Sequence, residues 1–240
     1  YNDYHMGNAA ELCARECNVP RSAQDEFAVE SYRRAQKAIE EGKFKAEIVP
    51  VPVPQRRGDP VLVDADEEPG RVRFDKITSL KPSFQKDGTV TAANASSLND
   101  GASMLIVASK EWADENGFTP IATITGYGSA AQAPEWFTTA PAKAINGTLE
   151  RMKLSVKDID LFEINEAFAV VSIANEQKLG LDRNRVNVWG GAVALGHPIG
   201  ASGARILTTL LHAMKDRDAK RGLASLCIGG GEGVALVVER

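Results

Sequence analysis

Three short segments concentrate residue types that do chemistry. Cys227-Ile228-Gly229-Gly230-Gly231-Glu232-Gly233 ends an apolar run with a thiol and follows it with a glycine turn that frees backbone N–H groups. A thiol beside such a nest can move a proton while the N–H groups steady an oxyanion, although a lone cysteine can equally be inert and buried. A free thiol titrates near about 8.5, so modest shifts would poise Cys227 close to neutrality. Residues 190–205 hold His197 between Gly196 and Pro198 in a stretch with five glycines. Such backbone is costly to order, and it restrains the imidazole in a loop, where general acid–base work and a structural role are both open to it. Asn165-Glu166-Ala167-Phe168-Ala169 follows the mostly apolar Leu161-Phe162-Glu163-Ile164, and its leading amide can cap a helix or hold a ligand.

These loops need a frame, and the periodicity supplies one. Apolar runs at 121–125, 161–164, 186–189, 223–228 and 234–238 read as strands; helical spacing marks 141–152, 166–179 and 202–214. The order βαβαβαββ implies an α/β layered helix–sheet–helix body, with a mainly parallel sheet and an antiparallel edge from the last hairpin. Chemistry in such sheets gathers at loops leaving strand ends, where all three segments fall. Upstream, Ser22-Ala23-Gln24-Asp25 resembles a capping box opening a helix with Phe27, Ala28, Tyr32, Ala35 and Ile39 on one face, stopped by Gly42. Residues 50–86, with six prolines, read as an irregular excursion; 104–107 reads as a short buried strand and 110–116 as a helix ended by Gly117.

The composition bounds the function. The chain has 240 residues, 43% of them apolar, with 28 Lys plus Arg against 32 Asp plus Glu. This is globular composition and excludes disorder, collagen and coiled coil. A net charge of −4 speaks against a general nucleic-acid or anionic-membrane surface, and leaves room for a local anion site. No apolar run approaches a membrane span, and the first residues have neither a basic nor an apolar targeting region, so a cytoplasmic protein is expected. The odd count of cysteines, Cys13, Cys17 and Cys227, suits reduced thiols. Cys13 and Cys17 lack the partners of a zinc site and read as packing residues. Residues 229–233 precede a strand and so are no dinucleotide fingerprint, and no Gly-Lys-Ser/Thr follows residue 190.

Asn-Glu-Ala-Phe, Gly-His-Pro-Ile-Gly-Ala-Ser-Gly-Ala-Arg and Cys-Ile-Gly-Gly-Gly-Glu-Gly together resemble the three C-terminal signatures of thiolases. Tyr4-His5-Met6-Gly7 and the stretch 87–102 resemble further family segments, so the resemblance covers the whole chain and is nearest to bacterial acetyl-CoA acetyltransferases. It implies a loop domain over 1–86, the end of the N-terminal half over 87–118 and the C-terminal half over 119–240. The family's acyl-accepting cysteine lies in a Cys-x-Ser-Gly segment found nowhere in this sequence. With no initiator methionine either, the expectation is a C-terminal part that is inactive alone; Cys13 and Cys17 have no nest or base to replace that thiol.

By the same resemblance the reaction joins two acetyl-CoA into acetoacetyl-CoA and CoA, or runs as thiolysis of a 3-ketoacyl-CoA. Cys227 would be the acid/base thiol. His197 would activate the nucleophile and donate to the thioester oxygen, Asn165 would hold a water as second donor, and Gly229 N–H would serve the other oxyanion hole. Ala92, Ala95 and Ser96 would border the pantetheine; Met6, Phe84 and Phe168 would wall the thioester pocket, with His5 beside Met6. Phe137 stands where the family resemblance leads one to expect methionine. Arg56, Arg57 and Arg71 read first as solvated loop charges and second as phosphate contacts. Coenzyme A is substrate and product, no cofactor or metal is implied, and a homo-oligomer, dimer or tetramer, is expected. The alternatives are a decarboxylating condensing enzyme, disfavoured by Asn165 and Cys227, and a non-catalytic acyl-CoA, lipid-binding or interaction module derived from a thiolase.

Overall fold

The computed structural model describes residues 3–240; Tyr1 and Asn2, part of the N-terminal stretch read above for targeting, lie outside the described residues. Helix α1 (Met6–Glu16) opens where His5 Nδ1 accepts from the Gly7 N–H at 3.0 Å, satisfying one of the free donors of a helix start. Helix α2 (Arg21–Glu40) follows Pro20 and stops before Gly42, whose φ of +70° suits a residue without Cβ. The capping box expected at 22–25 is corrected. Pro20 holds the position before the helix, so Ser22 and Asp25 both lie inside it, and the Asp25 carboxylate pairs with Arg21 at 2.8 Å and accepts from Asn94 Nδ2 at 3.0 Å.

The proline-rich excursion contains strands β1 (Val51–Val53) and β2 (Val61–Val63), an exposed antiparallel hairpin, and the single turn α3 (Glu68–Arg71). Helix α4 (Lys110–Glu115) is capped by Ser109 and ends before Gly117, as its sequence suggests. Residues 104–107 are not the buried strand expected: Met104, Ile106 and Val107 are exposed and no described residue pairs with them. An apolar run becomes a strand only with a ladder partner.

The remaining chain supplies β3 (Thr123–Ala131), α5 (Ala140–Arg151), β4 (Leu161–Ile164), α6 (Ala169–Leu179), α7 (Ala192–Leu195), α8 (Ser202–Asp216), β5 (Arg221–Ile228) and β6 (Glu232–Glu239). Four of these strands form one sheet in the order β3-β6-β5-β4, with β4 and β5 parallel and the other pairs antiparallel. The sheet is therefore mainly antiparallel, not mainly parallel as expected, because the last hairpin lies inside it rather than at its edge. A short turn forces β5 against β6, β5 is taken by β4 on its far side, and the open side of β6 takes β3. Side chains alternate across the sheet. Phe162, Ile164, Leu223 and Val237 pack under Ile145 and Leu149 of α5, while Leu161, Ala224 and Val238 pack under Ile206, Leu210 and Met214 of α8. Each of these side chains larger than alanine contributes about 1.5–3 kcal/mol of transfer free energy. The result is the helix–sheet–helix layering the sequence implies.

Two local expectations fail at the loops. Residues 186–189 form isolated bridges instead of a strand, because Asn187 takes φ +45° and spends its side-chain amide on both backbone groups of Ile164, each at 2.8 Å. Helix α6 begins at Ala169 instead of 166, because Ala167 O accepts from both the N–H and the hydroxyl of Ser96 and Phe168 is extended in a bridge to Ala95.

Candidate active site

The strand β4 delivers Asn165 to its place. Its backbone N–H donates to Ser225 O of the parallel neighbour β5 at 3.0 Å, extending the ladder one residue past the strand. Phe168, not Asn165, occupies the position before α6, so capping does not account for this asparagine. Its side chain is 1% exposed, Nδ2 lies 3.4 Å from His197 Nε2, and Oδ1 has no hydrogen-bond partner. A buried amide oxygen without a partner is a group that a bound donor would satisfy.

Glu166 braces the loop from below. Its carboxylate accepts from Ser31 Oγ of α2 at 2.6 Å, from Asn187 Nδ2 at 2.9 Å and from the Val193 N–H of α7 at 3.1 Å. The same Ser31 hydroxyl receives the Gly191 N–H at 3.1 Å. One carboxylate thus fixes the Asn165 loop to the start of the glycine-rich loop.

That second loop places His197. Gly196, at φ +91°, turns the chain where a Cβ would strike the Asn99 side chain, and His197 N–H then donates to Ser97 O at 2.9 Å. Leu98 bridges His197 as Ala95 bridges Phe168, so the strap 95–98 holds both loops. The imidazole is half-buried. Nδ1 lies 2.5 Å from Ser202 Oγ, the first residue of α8, and Ser202 Oγ also lies 3.0 Å from Pro198 O. Burial, with the Arg205 guanidinium adding to it, pulls the imidazole below its ordinary value, so it is neutral at pH 7.

Cys227 comes from the end of β5, paired with Gly233 of β6, and is 9% exposed. It shares one apolar cluster with Phe137 and Phe168, against which Phe84 and Ala95 pack. The expectation of a thiol poised near neutrality is corrected: burial pushes Cys227 up to about 12, because an apolar surround disfavours the thiolate. Gly229, just beyond, is exposed, and a Cβ there would meet Met6 Sδ at 3.0 Å.

Most of the remaining candidates assemble around this centre. His5 stacks on Phe84 at 4.9 Å, and Phe84 meets Phe168 edge-on at 6.1 Å. Ser96 is half-buried with its hydroxyl engaged by Ala167 O, and Ala92 is exposed on the same segment. Arg56 and Arg57 lie at the exposed hairpin tip, and Arg71 is paired with Glu67 at 2.6 Å and Glu68 at 3.3 Å. Glu166, Asn187 and Ser202 escaped the sequence reading. A hydroxyl at the first turn of the helix after the histidine loop is the one signal that would have raised Ser202.

The chain matches the thiolase C-terminal domain family over residues 118–240 and the thiolase N-terminal domain family over residues 1–111. An acetyl-CoA acetyltransferase of Cupriavidus necator is 56% identical over all of this chain and 61% of its own length. One from Schizosaccharomyces pombe is 51% identical over the same shares. The chain therefore spans about three-fifths of the length of these curated relatives. The crystal structure of the Bacillus anthracis acetyl-CoA acetyltransferase superposes with a TM-score of 0.96 at 47% identity, covering 99% of this chain and 60% of that one. The Acat5 thiolase from Ascaris suum, solved in complex with coenzyme A, gives 0.91 at 44% identity, over 99% of this chain and 60% of that one. With both family domains matched along its length and its strand-end loops carrying their residues in place, this chain belongs to the thiolase family.

Proposed function

We propose that this chain carries the proton-transfer and oxyanion machinery of an acetyl-CoA acetyltransferase, condensing two acetyl-CoA to acetoacetyl-CoA and CoA or cleaving a 3-ketoacyl-CoA in reverse. The observation that carries the reading is the Asn165–His197 contact at the mouth of β4, with Cys227 on the neighbouring strand β5, two residues beyond the Ser225 that pairs with Asn165. The acyl-accepting thiol comes from outside these 240 residues, since no Cys-x-Ser-Gly occurs among them.

A Cys227 thiol held protonated by burial acts first as an acid. It gives its proton to the CoA thiolate that leaves as the acyl group is transferred, and the Cys227 thiolate so formed removes the α-proton of the next acetyl-CoA. The carbanion attacks the acyl-enzyme. His197 and a water held by Asn165 attend the enolate oxygen, and the Gly229 N–H attends the tetrahedral intermediate. Donors aimed at developing charge are each worth about 3 kcal/mol. Met6, Phe84 and Phe168 wall the thioester, with His5 holding the start of α1, while Ala92, Ala95 and Ser96 line the pantetheine arm. The chemistry calls on no metal or cofactor beyond the coenzyme A thioester.

The reading extends to fatty acid metabolism in the cytoplasm, supported by three free thiols and by the absence of any described helix long and apolar enough to cross a membrane. It extends also to a homo-oligomer, a dimer or tetramer, supported by the exposed Met104, Ile106, Val107 and Tyr127. The test is α-proton exchange of acetyl-CoA by the protein bearing the acyl-accepting cysteine. Cys227→Ala abolishes exchange while acyl transfer to the nucleophile persists. Unchanged exchange removes Cys227 from this role, and coenzyme A binding without any turnover in the unsubstituted protein would favour a binding module.

A further inference from the structure

We infer that Ser202 is a positioning residue that holds His197 as the Nδ1–H tautomer, so that its Nε2 meets the reactants as a bare acceptor. The inference rests on the functional reading above only for its catalytic consequence; the tautomer itself follows from the hydrogen-bond network.

Ser202 Oγ lies 3.0 Å from Pro198 O and 2.5 Å from His197 Nδ1. It has one proton for two neighbours. A carbonyl oxygen can only accept, so a hydroxyl that donates to Pro198 O must accept from Nδ1–H. Nε2 is then unprotonated and receives the Asn165 Nδ2–H at 3.4 Å. In this arrangement the one Asn165 side-chain atom left without any partner is a carbonyl oxygen, Oδ1. The opposite arrangement turns the hydroxyl onto Nδ1 and places a proton on Nε2. Asn165 must then present Oδ1 to the imidazole, and its NH₂ group becomes the buried orphan. Unpaired buried N–H groups are rarer in folded proteins than under-satisfied carbonyl oxygens, which selects the first network. The backbone allows little escape, because His197 is fixed at its N–H by Ser97 O and Ser202 is fully buried at the start of α8.

The consequence is an order of roles. The ring enters as an acceptor at Nε2: a reacting thiol transfers its proton there, leaving a thiolate and an imidazolium with N–H at both nitrogens. Only then does Nε2–H donate to an oxyanion, while Nδ1–H keeps its bond to Ser202 Oγ. A histidine resting as the Nε2–H tautomer would lack the acceptor.

Nitrogen-15 NMR of the histidine-labelled 240-residue chain, recorded above pH 7.5, reads the tautomer without any need for activity. The sequence has three histidines, and His5, whose Nδ1 accepts from the Gly7 N–H, supplies the opposite tautomer as an internal standard. The expected spectrum shows His197 protonated at Nδ1 and bare at Nε2. Ser202→Ala reverses that pattern and Ser202→Thr, which keeps a hydroxyl, retains it. A His197 already protonated at Nε2 in the unsubstituted chain overturns the inference, and so does Ser202→Ala with the tautomer unchanged. If Ser202→Ala does not fold, seen as collapse of the His5 and His212 signals, the unsubstituted spectrum decides alone. In a protein with exchange activity, Ser202→Ala lowers kcat about 10²-fold with little change in KM, the loss expected of a misplaced general base. Absence of turnover with the Nδ1–H spectrum intact would sink the functional reading and leave the tautomer standing.

Discussion

The Ser31 hydroxyl donates to Glu166 Oε2 at 2.6 Å, joining helix α2 to the loop that carries Asn165 across 135 residues of chain. Glu166 is 1% exposed and takes two further bonds, from Asn187 and the Val193 N–H, so one side chain aligns the loop after β4, the broken strand and α7.

Removing that carboxylate strands three donors in the interior. Each unpaired buried group costs about 1–3 kcal/mol, partly relieved by relaxation, so Glu166→Ala should lower stability by about 3–5 kcal/mol in urea unfolding. Glu166→Gln, which still accepts through one oxygen, should lose about half as much. Gly191→Ala should be comparably damaging, because its Cβ would collide with the same carboxylate. A Glu166→Ala midpoint within about 1 kcal/mol of the parent would mean that the loops are held by packing alone.

How far the sequence announced this arrangement depends on the range of each interaction. The strand Leu161–Ile164 was legible because three of its four side chains are apolar and it is buried on both faces, although Glu163 interrupts the run. Asn165, His197 and Cys227 were legible because glycine-rich turns and strand ends mark them locally. Residues 104–107 looked the same as a strand and are not one, since a ladder partner leaves no mark in the run itself. Glu166 was invisible as a brace because its partners, Ser31, Asn187 and Val193, are distant in sequence and meet only in the fold. The pairing of β6 with β3 was missed for the same reason, as was the depth of burial that holds the Cys227 proton.

A second buried carboxyl makes stability depend on pH. Glu163, on β4, is pushed up to about 8 by burial, with Arg205 at 3.9 Å offsetting only part of the cost; Glu47 and Glu176 are pushed up to about 7 for the same reason. Below the ordinary carboxyl range of about 4.5, folded and unfolded chains both hold the Glu163 proton and its contribution is fully present. Above that range the unfolded chain has released the proton and the folded chain has not, so stability falls by about 1.4 kcal/mol per pH unit for each such group, up to about pH 7 for Glu47 and Glu176 and about pH 8 for Glu163. Urea midpoints at pH 5 and pH 8 should therefore drop less for Glu163→Gln than for the parent. Equal drops would mean that Glu163 is ionised in the fold and fully compensated by Arg205.

Thiol labelling separates a resting acid from a resting base at Cys227. Alkylation needs both the thiolate and access. Burial pushes Cys227 and Cys13 up to about 12 from an ordinary 9.0, a loss of thiolate of about 10³-fold by pKa arithmetic, and both sulfurs are enclosed. Cys17, just past the end of α1, is half-buried with its sulfur 3.9 Å from that of Cys13. Iodoacetamide at pH 8, followed by peptide mass spectrometry, should therefore modify Cys17 first. Cys13 and Cys227 should stay largely unmodified until urea opens the fold, after which all three react alike. The pattern at Cys227 bears directly on the proposed reaction order, in which a thiol that starts protonated gives its proton to a leaving thiolate before it takes one from an α-carbon. Labelling of Cys227 in the folded chain as fast as a free thiol would show a resting thiolate, and the acid-first sequence would have to be reversed.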